Sequence, residues 1–425
     1  MVRVLVVDDS AFMRRTLTGL LSKSPDIEVV GTAINGEDAL QKCKELDPDA
    51  VTMDIEMPKM DGLTALKHLM RENPLPVLMI SSLTHEGAAV TLEALEVGAL
   101  GYVTKVSSTS LPDMENFGTE LVETVKAIAR RKALLRLRFR SQQVSANKLA
   151  GGRTGGNASP TSTTTRSTLR TQAAGVPPAT NRLAGRTSTA SGRSFASDSA
   201  SARGGATSSL RSSVATPLST APKELAPATG LRIQPHKGFD LLIIGVSTGG
   251  PPAVQKILLE LPAKFPVPVL IAQHMPASFT GPFAKRLDSL VPMTVKEADV
   301  EERLLPGTVY VCPGGKHFRV QQKKGFLTAF VTEEPKSALY KPSVNVLFET
   351  AGETLGRRAL GVMLTGMGYD GLEGSKVLKA KGGVLLAQSE ASCVVYGMPK
   401  AVVDAGLTDG IIDIEDMAAT ILHFF

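Results

Sequence analysis

Cysteine is scarce in this chain, and the three that occur are far apart. Cys43, Cys312 and Cys393 form no C-x-x-C pair, which argues against a zinc ribbon or a disulfide framework and predicts buried thiols in a reducing compartment. No apolar run is long enough to cross a bilayer, so an integral membrane protein is not expected. The opening residues Met1-Val2-Arg3-Val4-Leu5 pass at once into a strand and two aspartates; this is not a signal-peptide layout, and it predicts a cytoplasmic protein. Neither G-x-G-x-x-G nor G-K-[ST] follows a strand, which weighs against nucleotide binding. No helix-turn-helix is evident, so nucleic acid is not an expected partner.

What is present is a chain of 425 residues, 43% hydrophobic, long enough for two or three domains with sizeable cores. Its charge of +6 is uneven. Residues 141–235 hold 11 Lys or Arg against Asp198 and Glu224, a local +9, so the remainder carries −3. The high isoelectric point therefore belongs to one segment. That segment is Ser, Thr, Ala, Gly, Arg and Pro, too poor in apolar residues to fill a core, and predicts a disordered tether. Three parts follow: residues 1–125, a basic helix and linker over 126–235, and residues 236–425. The pattern predicts a continuous helix over 120–139, apolar on one side, with its basic residues solvated on the other.

In the first part strands and helices alternate five times, which implies a doubly wound parallel five-stranded sheet of flavodoxin-like type. Ligands of such sheets sit at the carboxyl ends of the strands. Asp8 and Asp9 end the first strand, Asp54 the third, Ser81 the fourth and Lys105 the fifth. Carboxylates converging there repel unless a cation joins them, and hard oxygen ligands suit Mg²⁺. A carboxylate can also attack phosphorus. Asp54 is the expected acceptor, with Lys105 pairing the phosphoryl oxygens and Ser81 hydrogen-bonding one of them.

This constellation, with Met57-Pro58, Asp61-Gly62 and Ser81-Ser82, resembles a response-regulator receiver domain. The resemblance implies phosphorylation of Asp54 by a histidine kinase and Mg²⁺ held by Asp9 and Asp54 with Asp8 nearby. It also implies switch roles for Ser81 and Tyr102. Val106 stands where the family usually has Pro.

The last part organises around Phe239 to Pro251. The apolar run Leu241 to Ile244 predicts a strand, and Pro251 suits the first turn of a helix. Between them Gly245-Val246-Ser247-Thr248-Gly249 has the G-x-S-x-G form of a nucleophile elbow. Alternation continues to the C-terminus and predicts a second doubly wound α/β domain. Ser247, His274 and Asp370 each stand just past an apolar strand, the placement a hydrolytic triad needs. Backbone N–H groups near Thr248 and Met367 are candidate oxyanion donors. His317 is a weaker candidate base, because it follows the loop Cys312 to Lys316 and no strand end places it. The chain order Ser, His, Asp differs from that of α/β-hydrolases.

With Gln273-His274-Met275-Pro276, Pro313-Gly314-Gly315, Lys341 to Phe348, Leu364 to Gly371 and Gln388 to Pro399, the whole chain resembles the chemotaxis protein-glutamate methylesterases. The resemblance implies catalysis by Ser247, His274 and Asp370, with Thr248 and Met367 assisting and no cofactor for the esterase. It implies glutamyl methyl esters on methyl-accepting chemoreceptors as substrate, with deamidation of receptor glutamines in some members. It also implies a receiver that packs over the esterase site and uncovers it on phosphorylation. Tyr369 stands where Asn often precedes the catalytic Asp.

Overall fold

The computed structural model describes residues 1–105, 111–137 and 229–425. Val106 and most of the expected linker lie outside the described residues.

The first sheet has the order β2-β1-β3-β4-β5, all parallel. Its strands are β1 (Val2–Val7), β2 (Ile27–Ala33), β3 (Ala50–Asp54), β4 (Val77–Ser81) and β5 (Gly101–Thr104). The helices between and after them are α1 (Ala11–Leu21), α2 (Gly36–Leu46), α3 (Gly62–Glu72), α4 (His85–Val97) and α5 (Leu111–Ala129). Strands β3 and β4 are buried throughout, as near-continuous apolar runs in a two-sided sheet must be. Four helices start on side-chain caps. Ser10, Asn35, Asp61 and Thr84 accept from the N–H groups of Met13, Asp38, Thr64 and Gly87, satisfying donors that helix starts leave open.

The expected continuous helix over 120–139 is corrected. It begins earlier, at Leu111, and breaks at Arg130-Arg131 before a further turn over 132–137. Several of its basic residues are paired rather than solvated. Lys132 bonds the Asp47 carbonyl at 2.9 Å and Asp49 at 3.0 Å, Arg136 pairs with Asp47, and Lys126 reaches Asp26 at 3.0 Å.

The second sheet has eight strands in the order β6-β16-β15-β14-β7-β8-β11-β9. They are β6 (Gly230–Leu231), β7 (Leu241–Val246), β8 (Val269–Gln273), β9 (Thr294–Glu297), β11 (Thr308–Val311), β14 (Ala359–Met363), β15 (Val384–Gln388) and β16 (Gly410–Ile412). Only the edge pairing of β6 with β16 is antiparallel. A separate antiparallel sheet joins β10 (Glu301–Arg303), β12 (His317–Lys323) and β13 (Phe326–Thr332). The hairpin between β12 and β13 turns on Lys324 and Gly325, both at positive φ, as a tight primed turn requires. Helices α6 (Gly250–Glu260), α7 (Ala277–Leu290), α8 (Val344–Leu355), α9 (Leu372–Ala380), α10 (Met398–Asp404) and α11 (Ile414–Leu422) complete this half.

After the edge strand β6 the chain enters the middle of this large sheet at β7. It places β8 beside it, β9 at the far edge and β11 between them, then returns to the other side of β7 for β14, β15 and β16. Connections therefore diverge on either side of β7. A crevice opens where neighbouring connections leave on opposite faces, and such sheets bind ligands there. All three cysteines are free and buried, and none of the described helices is long and apolar enough to cross a membrane.

Candidate functional site

Residue Ser247 follows β7, His274 follows β8 and Asp370 lies in the loop after β14. These are three adjacent strands, so all three residues stand at one edge of the sheet. Short main-chain links fix the turn. Ser247 donates its N–H to the Thr365 carbonyl at 3.0 Å, and His274 donates to the Val246 carbonyl at 3.0 Å. Beneath them the buried Gln273 amide donates to the Ser247 carbonyl at 3.0 Å and the His274 carbonyl at 3.1 Å. One side chain thus braces the backbone of both residues. A Cβ on Gly366 would come within 2.8 Å of the Ser247 Cβ, so nothing larger than glycine fits beside that turn.

The His274 ring is held from two directions. Its Nε2 lies 2.8 Å from Asp370 Oδ2, and Tyr340 stacks on its face at 4.3 Å with 7° between planes. Its Nδ1 is buried and takes no hydrogen bond. Since a carboxylate only accepts, Nε2 carries the proton and Nδ1 presents a lone pair.

Asp370 is more completely engaged. Oδ2 accepts from Val344 N at 2.7 Å, and Oδ1 accepts from Ser343 Oγ at 3.0 Å, Asn345 N at 3.2 Å and Gly371 N at 3.1 Å. The carboxylate therefore sits on the N-terminus of α8, where free N–H groups and the helix dipole favour negative charge. Burial pushes its pKa up, but the His274 bond and the two helix N–H groups outweigh burial and hold the carboxyl below its ordinary value. Asn345 closes the loop from the other side, accepting from Gly371 N at 3.0 Å and Gly374 N at 2.9 Å.

Among the described residues, neither the Thr248 nor the Met367 N–H has a hydrogen-bond acceptor. The Ser247 N–H is already spent on Thr365. Those two N–H groups are thus open, while the serine's own is engaged.

The second cluster lies in the first sheet. Asp8, Asp9 and Asp54 offer carboxylate oxygens within 4.8 Å of one another. Lys105 Nζ reaches Asp54 Oδ2 at 2.7 Å and Asp8 Oδ2 at 3.3 Å, and Ile55 N donates to Asp54 Oδ1 at 2.8 Å. Asp8 Oδ2 is buried and makes no hydrogen bond despite the lysine nearby. Burial pushes the Asp54 pKa up to about 6; Lys105 opposes that and Asp8 adds to it. Two buried carboxylates and the exposed Asp9, with Asp8 Oδ2 making no hydrogen bond, form a donor set that fits a hard divalent cation. A cleft of about 700 Å³ opens beside it, lined by Asp9, Met57, Pro58 and Val90 among others.

Ser81 Oγ faces Thr91 Oγ1 at 2.6 Å, and Tyr102 points out of the sheet to stack on Phe279 of α7 at 5.1 Å with 2° between planes. That stack joins the two halves. A Cβ on Gly101 would lie 3.2 Å from Thr248 Cγ2, so β5 abuts the turn that carries Ser247. Arg286 pairs with Glu96, its Nε at 2.8 Å. Arg131 donates to the carbonyls of Glu390 at 2.8 Å, Ala391 at 3.1 Å and Val394 at 3.4 Å. Between Leu92, Leu95, Pro251, Pro252, Phe283 and Leu287 only about 10 Å³ is left open.

Tyr340 and Arg131 carried no sequence signal, being separated from the groups they hold by tens to hundreds of positions. Gln273 and Ser343 lie inside stretches that carry the resemblance, but nothing there gave them a role. His317 is not at the base position. It opens β12, fully buried, beyond Asp370.

Comparison with known proteins agrees with both halves. The family model for the response regulator receiver domain matches residues 4–112, and that for CheB methylesterase matches residues 242–421. A protein-glutamate methylesterase/protein-glutamine glutaminase of Oleidesulfovibrio alaskensis is 50% identical, covering 100% of this chain and 99% of that one. The chain belongs to this methylesterase/glutaminase family. A second member, from Nitratidesulfovibrio vulgaris, is 48% identical over 100% of this chain and 99% of its own. The solved Thermotoga maritima CheB methylesterase catalytic domain is 36% identical, covers 44% of this chain and 99% of that one, and has a TM-score of 0.43. Family members of this kind are receiver-linked carboxylic ester hydrolases, and the two matched regions have that order here.

Proposed function

We propose that the chain hydrolyses glutamyl methyl esters on chemoreceptors, with Ser247 as nucleophile, His274 as general base and acid, and Asp370 as the anion that orients it. The observation carrying this reading is the His274–Asp370 bond at 2.8 Å, which leaves Nδ1 unbonded on the strand next to Ser247. Ser247 Oγ attacks the ester carbonyl carbon, and its proton passes to His274 Nδ1. The carbonyl oxygen takes the negative charge against the Thr248 and Met367 N–H groups. The tetrahedral adduct then expels methoxide, which takes the proton from Nδ1 and leaves as methanol. Water, deprotonated by the same nitrogen, cleaves the acyl-serine to give glutamate. With a glutamine substrate the same sequence releases ammonia, so deamidation needs no further residue.

The receiver supplies control. A histidine kinase transfers a phosphoryl group to Asp54, with Lys105 countering its charge. Asp8, Asp9 and Asp54 would hold Mg²⁺, which when bound neutralises charge on the transferring group. Ser81 leaves Thr91 for the phosphoryl oxygen, Tyr102 turns inward and gives up Phe279, and the Gly101–Thr248 contact opens. The reaction belongs in the cytoplasm, where the kinase and the receptor signalling helices meet.

The test is release of labelled methanol from membranes bearing methyl-labelled chemoreceptors, with and without a small acyl phosphate as phosphodonor. Stimulation by the phosphodonor in the native chain, lost in Asp54→Asn, supports the reading. Equal rates in Ser247→Ala and the native chain would remove it.

A further inference from the structure

The N-terminus of α8 holds two functional side chains rather than one. Ser343 stands at the cap position, yet its hydroxyl makes no capping bond to the helix. It donates to Asp370 Oδ1 at 3.0 Å instead. The next two N–H groups, of Val344 and Asn345, also go to Asp370. The cap residue's own N–H goes elsewhere, to His317 Nδ1 at 3.1 Å. His317 is 0% exposed, and β12, which carries it, packs alongside α8. Val320 N of that strand donates to Thr350 Oγ1 at 3.1 Å, and Thr354 Oγ1 donates to the Val320 carbonyl at 2.8 Å.

A backbone N–H can only donate, so His317 Nδ1 must be the acceptor and the proton belongs to Nε2. Burial pushes the pKa of this ring down, and Lys341 adds to that. The ring is therefore neutral at physiological pH and keeps its lone pair on Ser343. From the ring to the base runs one continuous path: His317 Nδ1, Ser343 N, Ser343 Oγ, Asp370, His274 Nε2. Its three hydrogen bonds are each 3.1 Å or less, and the covalent frame of Ser343 and the Asp370 carboxylate join them.

We propose that His317 is a positioning residue for the esterase, fixing the first turn of α8 and through it the direction in which Asp370 presents its carboxylate to His274. It touches no reacting atom and exchanges no proton in turnover. This inference rests on the triad assigned above. It adds that the triad's aim is set from β12, a strand outside the main sheet. The expected signature is a loss in kcat with KM unchanged, because the substrate meets none of these atoms while a misdirected base slows only the chemical steps.

Two substitutions separate this role from simple packing. In His317→Asn the amide oxygen takes the place of Nδ1, so Ser343 N keeps an acceptor. In His317→Gln the longer side chain places its amide near Nε2 and leaves Ser343 N without one. Both are polar and neither exceeds the imidazole in size. Methanol release is measured on the full chain, phosphorylated with a small acyl phosphate, using membranes with methyl-labelled receptors. His317→Asn is expected within about threefold of the native kcat, and His317→Gln to lose about tenfold or more at native KM. Ser343→Ala should lose rate as well, and combining it with His317→Gln should cost no more than His317→Gln alone, since both cut one path. Labelling of Asp54 by the phosphodonor, unchanged in every variant, shows that the receiver is intact. Equal losses in Asn and Gln would mean that the ring only fills space, and would overturn the proposal. A native rate in His317→Gln, with Ser247→Ala inactive, would overturn it while leaving the triad standing. Activity in Ser247→Ala would instead remove the triad and this proposal with it.

Discussion

Asp54 and Asp370 are the same residue in nearly the same place on two sheets, and their environments drive them opposite ways. Each lies at the carboxyl edge of a parallel sheet, 3% and 6% exposed. Burial alone would raise both. Asp370 ends below its ordinary pKa and Asp54 rises to about 6. The difference lies in who bonds to them. Asp370 has His274, the Ser343 hydroxyl and three main-chain N–H groups. Asp54 has Lys105 and the Ile55 N–H, and faces Asp8 as a second carboxylate. One acid is complete as it stands, and the other is left short of positive charge. A group that must orient an imidazole benefits from being saturated. A group that must accept a phosphoryl beside a cation benefits from being under-supplied.

Removing the charge at each site should therefore give opposite results, and the largest effects fall in the esterase. Ser247→Ala is expected to cut methanol release by about 10⁴-fold or more, the scale seen when a triad nucleophile is removed. Asp370→Asn should approach about 10⁴-fold, because a neutral amide in that ring of donors no longer fixes the His274 tautomer. Asp54→Asn should leave the basal rate unaltered and abolish only stimulation by the acyl phosphate. A basal rate that fell with Asp54→Asn, or survived Asp370→Asn, would break the contrast.

Stability against pH sharpens it. The raised Asp54 pKa means that the folded chain prefers this acid protonated. The favourable contribution is complete below the unfolded value near 4 and is lost as pH rises through about 6. Asp54→Asn should thus melt higher than the native chain at pH 7.5, by about 2–3 kcal/mol for a shift of roughly two units, with the advantage shrinking toward pH 5. Asp370 runs the other way. Its contribution is present above the unfolded value and lost only as pH falls through a folded value lower still, so Asp370→Asn should melt below the native chain across pH 5 to 8. Thermal unfolding of the three proteins at several pH values measures both signs. Millimolar Mg²⁺ should raise the melting temperature of the native chain and not that of Asp54→Asn.

The smallest effects belong to the seam between the halves. Tyr102→Ala removes an aromatic stack worth about 0.5–1.5 kcal/mol and should raise the basal rate about twofold to tenfold. Arg286→Ala removes a partly exposed ion pair of about 1 kcal/mol or less and should raise it about fivefold at most. Methanol release without phosphodonor reads both.

Much of this contrast was legible in the sequence. Alternating strands and helices, combined with the rule that ligands sit at strand ends, isolate Asp8, Asp9, Asp54 and Lys105 in one half and Ser247, His274 and Asp370 in the other. What separates the two acids was not legible. The donors to Asp370 are mostly main-chain N–H groups at a helix start some 25 positions away, and backbone donors leave no trace in composition. His317 looked unplaced because its loop hides the start of a strand in the small antiparallel sheet. The basic residues around Arg131 looked solvated because their partners are Asp47, Asp49 and the main chain of residues 390–394, none of which a helical period can anticipate.

The Gln273 brace bears on timing. Every bond that aligns Ser247, His274 and Asp370 comes from the second half of the chain: Gln273, Thr365, Ser343, Val344 and Asn345. On the proposed reading, departure of the receiver would have nothing to assemble, and activation would multiply the fraction of molecules with an open doorway while leaving the chemistry behind it unchanged. The silent enzyme and the stimulated one should share a single pH profile and a single order of inhibitor potency, differing only in how often the door stands open.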